Sequence, residues 1–172
     1  MLEALIFVVF PFCMLFAAIS DMLSMTIANR VPIMLVCVFA LIAPFTGMEW
    51  VDYGWHFAAG MLVLGVTFGL FAMGGMGGGD AKLLAATAVW MGFNSHLLQY
   101  VIISTVIGGL LTLAILAYRK SPLAVYTRHN PFLQHFADEA TGVPYGIALG
   151  IGGLLTYPSS PLMVWALGRL AA

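Results

Sequence analysis

Apolar and polar positions follow one another along this chain in long blocks. Six mostly apolar runs, Leu2–Ser20, Val31–Phe45, Trp55–Met73, Ala81–Phe93, Leu97–Tyr118 and Val143–Tyr157, are separated by short polar or glycine-rich breaks, and a seventh apolar piece, PLMVWALGRL, follows at 161–170. A helix needs about 20 mostly apolar residues to cross the hydrocarbon core of a bilayer. Backbone N–H and C=O groups in lipid must find partners inside the chain, so helices are the spanning form that the blocks predict. The expectation is an all-α integral membrane protein of about six transmembrane helices with short loops, with residues 1–172 forming one polytopic domain. The fourth and seventh runs are the shortest.

The charged residues orient these spans. If the six alternate, Arg30, Lys82, Arg119, Lys120 and Arg128 fall on one side. The break TGMEWVDYG on the other side carries Glu49 and Asp52 and no base. Basic residues collect on the cytoplasmic side of short loops, so that side is predicted to be cytoplasmic and both termini are predicted to lie outside, with Arg169. Trp50, Tyr53 and Trp55 are predicted to form an outer aromatic belt.

Composition agrees: 62% of the residues are hydrophobic and 8% charged, too little polar surface for a compact soluble chain. The lipid bilayer is therefore the first partner, and a net charge of −1 gives nucleic-acid phosphate nothing to bind. The first run has no Lys or Arg before it and no small-residue cleavage site, and is read as a retained span. Cys13 and Cys37 lie within apolar runs without C-x-x-C spacing and read as small hydrophobes. His56, His96, His129 and His135 are scattered over different breaks, so neither a metal nor a cofactor is expected.

Two acids stand apart from the other five. Asp21 ends the first run (FAAISD) and Asp80 opens the fourth (GGGDAKLLAATAVW), while Asp138 and Glu139 belong to a long polar loop. A carboxylate at membrane depth is costly unless paired or hydrated, and Asp21 and Asp80 are predicted to share one depth on one face. Such a pair suits peptide hydrolysis, one carboxyl activating water while the other protonates the scissile carbonyl. Helix ends predict Asp80, at an N-terminus, as the more easily ionised partner and Asp21, at a C-terminus, as the more readily protonated one. Gly77, Gly78 and Gly79 are read as a mobile loop presenting Asp80 to an extended peptide, and Lys82 as a headgroup anchor. Plainer readings stand beside these: Asp80 as an N-cap, Asp21 as a solvated helix end, and the glycines as helix-packing surface. RHNPFLQHFADEA, 128–140, reads as an interfacial helix or an ordinary loop.

GGGDAK matches the G-x-G-D signature of intramembrane aspartic proteases. With Asp21 about sixty residues earlier, the chain resembles the type IV prepilin peptidases from Asp21 to GVPYGIALGIG at 142–152. The resemblance implies a bacterial inner-membrane enzyme that removes the short basic leader from prepilins and pseudopilins after a glycine, at the cytoplasmic face, with Asp21 and Asp80 catalytic. Gly77, Gly79 and Lys82 would then lie about the substrate, and Asp138 and Glu139 would meet its basic leader. Larger members carry a zinc-binding domain with four cysteines and also N-methylate the new terminus. This chain has two cysteines and resembles the small peptidase-only subgroup serving Flp-type (tight-adherence) pili, which implies no methyl transfer. It departs from the family's I-P-N motif at TIAN, where Ala28 stands in place of proline, and has no charge between Asp21 and Arg30.

Two readings from other classes compete. One is a small channel or transporter using the same aspartates as a proton or cation relay at a glycine-broken helix. The other is a non-catalytic membrane subunit of a secretion machine.

Overall fold

In the computed structural model, which describes residues 1–122, 124, 136 and 142–171, the regular structure of the described residues is helical. The helices are α1 (Leu2–Ser24), α2 (Arg30–Ile42), α3 (Trp50–Ala72), α4 (Gly78–Met91), α5 (Ser95–Arg119), α6 (Tyr145–Thr156) and α7 (Pro161–Leu170). Single 3₁₀ turns at Ala43–Thr46 and Tyr157–Ser159 extend α2 and α6.

Three of these, α1, α3 and α5, are long and apolar enough to cross a membrane, and α6 with α7 makes a fourth if the pair is one span bent by 49°. The six predicted spans are therefore three or four by length. The shortfall has local causes. Pro44 opens the 3₁₀ turn that ends α2, and Gly92, at φ +74°, stops α4 after 14 residues. A helix that is apolar all round is an interior helix, and α4 fits that description, burying Leu83, Ala86, Ala88, Val89 and Trp90.

Two boundaries move in ways that matter. α3 begins at Trp50, five residues before the predicted Trp55, with Asp52 in its first turn, where an acid complements the helix dipole. α1 continues past Ser20 to Ser24 and so takes Asp21 inside its last turn. Of the predicted aromatic belt, Trp50 and Trp55 are exposed, whereas the Tyr53 hydroxyl turns inward and donates to the Ala40 carbonyl at 3.1 Å.

The core is centred on Trp90, whose indole N–H donates to the Leu35 carbonyl at 2.9 Å. Phe10 lies 5.3 Å from it and stacks on Tyr157 at 4.0 Å; such pairs add about 0.5–1.5 kcal/mol each beyond the area they bury. The Tyr157 hydroxyl is satisfied by the Ile6 carbonyl at 2.6 Å. His56 is buried too, with Nδ1 2.7 Å from the Val89 carbonyl.

α4 closes a ring with α2, α1 and α6, and two helices lean on the outside of that ring, α3 on α4 and α5 on α6. The α1–α6 contact is close because α6 carries Gly146, Gly150 and Gly153 on one face. A Cβ at Gly150 would lie 2.8 Å from the Met14 carbonyl oxygen, so the two backbones meet there directly. Between α3 and α5 there is no packed interface among the described residues.

Candidate active site

Asp21 sits in the last turn of α1, where its carbonyl accepts the N–H of Met25, a residue in the left-handed region at φ 53° that ends the helix. Its side chain is 5% exposed. A helix C-terminus offers a carboxylate no donor, and this one is supplied from elsewhere. The N–H of Gly146, in the first turn of α6, donates to Oδ2 of Asp21 at 2.7 Å. The first N–H groups of a helix have no partner within it, and an anion is the group they favour.

Glycine is required at 146. A Cβ there would lie 2.8 Å from Asp21 Oδ2, 2.9 Å from Asp21 Cβ and 2.9 Å from Ile27 Cδ1.

Asp80 is the third residue of α4, after the N-cap Gly77. Its carboxylate folds back over the start of the helix, so that a Cβ on Gly77 would approach Oδ2 to 2.7 Å. Oδ1 is buried and has no hydrogen-bond partner. The hydrogen bonding thus runs opposite to the helix-end argument, which placed the better-supported carboxylate at Asp80. That argument considered only each aspartate's own helix, whereas the donor to Asp21 comes from α6.

The two aspartates line one cavity of about 740 Å³. Thr67, Ser104, Thr105 and Tyr145 add polar groups to its wall. Ile27, buried, keeps the two halves in register. A Cβ on Gly79 would come within 3.2 Å of Ile27 Cβ, so Ile27 stands between the first turn of α4 and that of α6.

The remaining expected residues fall out differently. Gly77 lines the cavity. Gly78 and Gly79 are helical and packed, Gly78 facing the Phe71 ring and Gly79 facing Ile27. This corrects the reading of Gly77–Gly79 as a mobile loop: the turn consists of residues 73–77, and within it Gly74, at φ +74°, is the position that calls for glycine. Lys82 donates to Asn29 Oδ1 at 2.9 Å, which ties α4 to the α1–α2 connection. Asp138, Glu139 and the stretch 128–140 lie, but for Phe136, outside the described residues. Among the described residues no three or more His, Cys, Asp or Glu side chains gather in a way that would hold a metal ion.

Sequence reasoning passed over Gly146, Ile27 and Asn29 as members of this site. The signal for Gly146 was present: glycines at 146, 150 and 153 repeat at helical spacing behind Pro144, the mark of a helix face that must approach another backbone.

The model of the type IV leader peptidase family matches residues 8–113, which include both aspartates, Ile27, Asn29 and Lys82. Neither a curated protein nor a solved structure matches the chain.

Proposed function

The chain belongs to the type IV leader peptidase family, and we propose that it acts as a membrane aspartic endopeptidase that removes the leader of Flp-type prepilins and pseudopilins. One observation carries this reading: two carboxylates from helices far apart in sequence line a single cavity, one held by a backbone N–H and the other with a buried oxygen still free to bond. Such a pair hydrolyses a peptide bond when one carboxyl takes a proton from water and the other gives one to the scissile carbonyl. The tetrahedral intermediate then collapses as a proton passes to the leaving amine.

In this reading the enzyme lies in the bacterial inner membrane with its site facing the cytoplasm, the side to which the basic loops are assigned. It performs no N-methylation. Asp138 and Glu139 attract the basic leader. The glycine turn before α4 lets an extended substrate approach Asp80 closely, since glycine leaves its backbone uncovered.

The test is to incubate the purified protein with a prepilin leader fused to its hydrophobic segment, beside Asp21→Ala and Asp80→Ala. The wild type is expected to cut after the leader glycine and both variants to fail. No cleavage by the wild type, or undiminished cleavage by either variant, would refute the proposal.

A further inference from the structure

Among the described residues α3 and α5 do not pack on one another, and the cavity of the two aspartates takes wall from both. α3 leans on α4, and α5 leans on α6. The cavity wall takes Val66, Thr67 and Leu70 from α3 and Val101, Thr105 and Thr112 from α5. On α5 these positions share one face, and from Val101 to Thr112 they run about 16 Å along the axis at 1.5 Å per residue. The space is therefore a slot along the flank of α5 that also reaches both carboxylates. Val66 is 59% and Leu70 41% exposed, one turn apart on the facing wall. Thr105 is also exposed, and its hydroxyl makes no hydrogen bond among the described residues.

We propose that the slot between α3 and α5 receives an apolar membrane helix of the substrate, sideways from the bilayer. Three features select that occupant. The slot is continuous with the carboxylates, so a segment seated in it lies against Asp21 and Asp80. Its length of wall suits a helix aligned with α5, and Val66, Leu70 and Val101 are apolar neighbours for one. Where the occupant's chain must unwind to expose a peptide bond, Thr105 has an unused hydroxyl to offer its backbone. The turn at Gly74–Gly77 also lines the cavity, beside the point where the chain would leave the slot. The inference rests on the peptidase reading and adds the route by which the substrate reaches the site.

The test places a photo-crosslinking side chain at Val66, Leu70 or Thr105 in the full chain carrying Asp80→Asn. Leu41 on α2 and Val164 on α7, both exposed, serve as comparison positions. Each protein is reconstituted in vesicles with a leader fused to its apolar segment and irradiated. Adducts with the substrate are expected at the three slot positions and severalfold fewer at Leu41 and Val164. Equal or greater yield at the comparison positions, or slot adducts only with lipid or a second copy of the chain, would overturn the slot. As a kinetic arm in the otherwise wild-type enzyme, Val66→Trp or Thr105→Trp should raise KM about tenfold with kcat little changed, the mark of lost ground-state binding; Leu41→Trp should alter neither. Unchanged KM in both slot variants would also overturn it. If the wild type cleaves while the adducts map elsewhere, the slot alone fails; if the wild type does not cleave, the peptidase reading fails and takes the slot with it.

Discussion

The backbone N–H of Gly146 donates to the carboxylate of Asp21 at 2.7 Å across 125 residues of sequence. Through that bond the start of α6 supplies what the end of α1 lacks, and one aspartate of the pair is held by the last third of the chain. The other is held by α4, with Ile27 between the two supports. The geometry of the pair thus depends on residues that carry no chemistry themselves.

Gly146→Ala is expected to reduce cleavage sharply. The added methyl meets Asp21 and Ile27 at under 3 Å, and relief must come from moving α6 or the carboxylate, at a cost of about 1–3 kcal/mol. Gly168→Ala, inside α7 where a Cβ meets nothing within 4 Å, should leave activity unchanged and the melting temperature no lower. Equal behaviour of the two variants in a paired assay would rule out this role for Gly146.

Ile27→Ala removes the wedge between α4 and α6. Loss of a buried isoleucine to alanine costs about 2–5 kcal/mol, and Ile→Val about 0.5–1.5 kcal/mol. The alanine variant should lose activity at temperatures where circular dichroism still reports folded helix, because the carboxylates lose their register before the bundle melts. The valine variant should retain most activity. Parallel loss of helix and activity in Ile27→Ala would reduce Ile27 to ordinary core.

Lys82→Met and Asn29→Ala each break the bond between α4 and the α1–α2 connection. A hydrogen bond to a charged group contributes about 1.5–3 kcal/mol, and less in this exposed setting. In a double-mutant cycle on stability the two losses should not add, and coupling of several tenths of a kcal/mol is the expected reading. Simple additivity would show that the Lys82–Asn29 bond does not couple the two elements.

Much of this was legible in the chain. The helical class followed from the apolar blocks, and the two aspartates stood out because each abuts such a block near a break. What the pattern could not supply was distance in space. α4 reads as a weak span because its run is short and rich in alanine, yet that composition is what an interior helix needs to be approached on every side. The glycines before Asp80 read as a flexible loop because glycine permits both freedom and close approach, and only the positions of Phe71 and Ile27 show that packing governs two of them. The same ambiguity hid Gly146: its helical spacing with Gly150 and Gly153 announced a contact face, but its partner on α1 is visible only in the fold.

The most direct test of the paired aspartates is kinetic non-additivity. Groups that act as one unit lose nearly everything when either is removed, so the losses do not multiply. Asp21→Asn, Asp80→Asn and the double variant keep the side-chain shape, and their kcat/KM values on a prepilin leader fusion can be compared with wild type. Each single variant is expected to fall about as far as the double. Substantial activity in either single variant, or a double-variant loss equal to the product of the two single losses, would contradict a shared catalytic role.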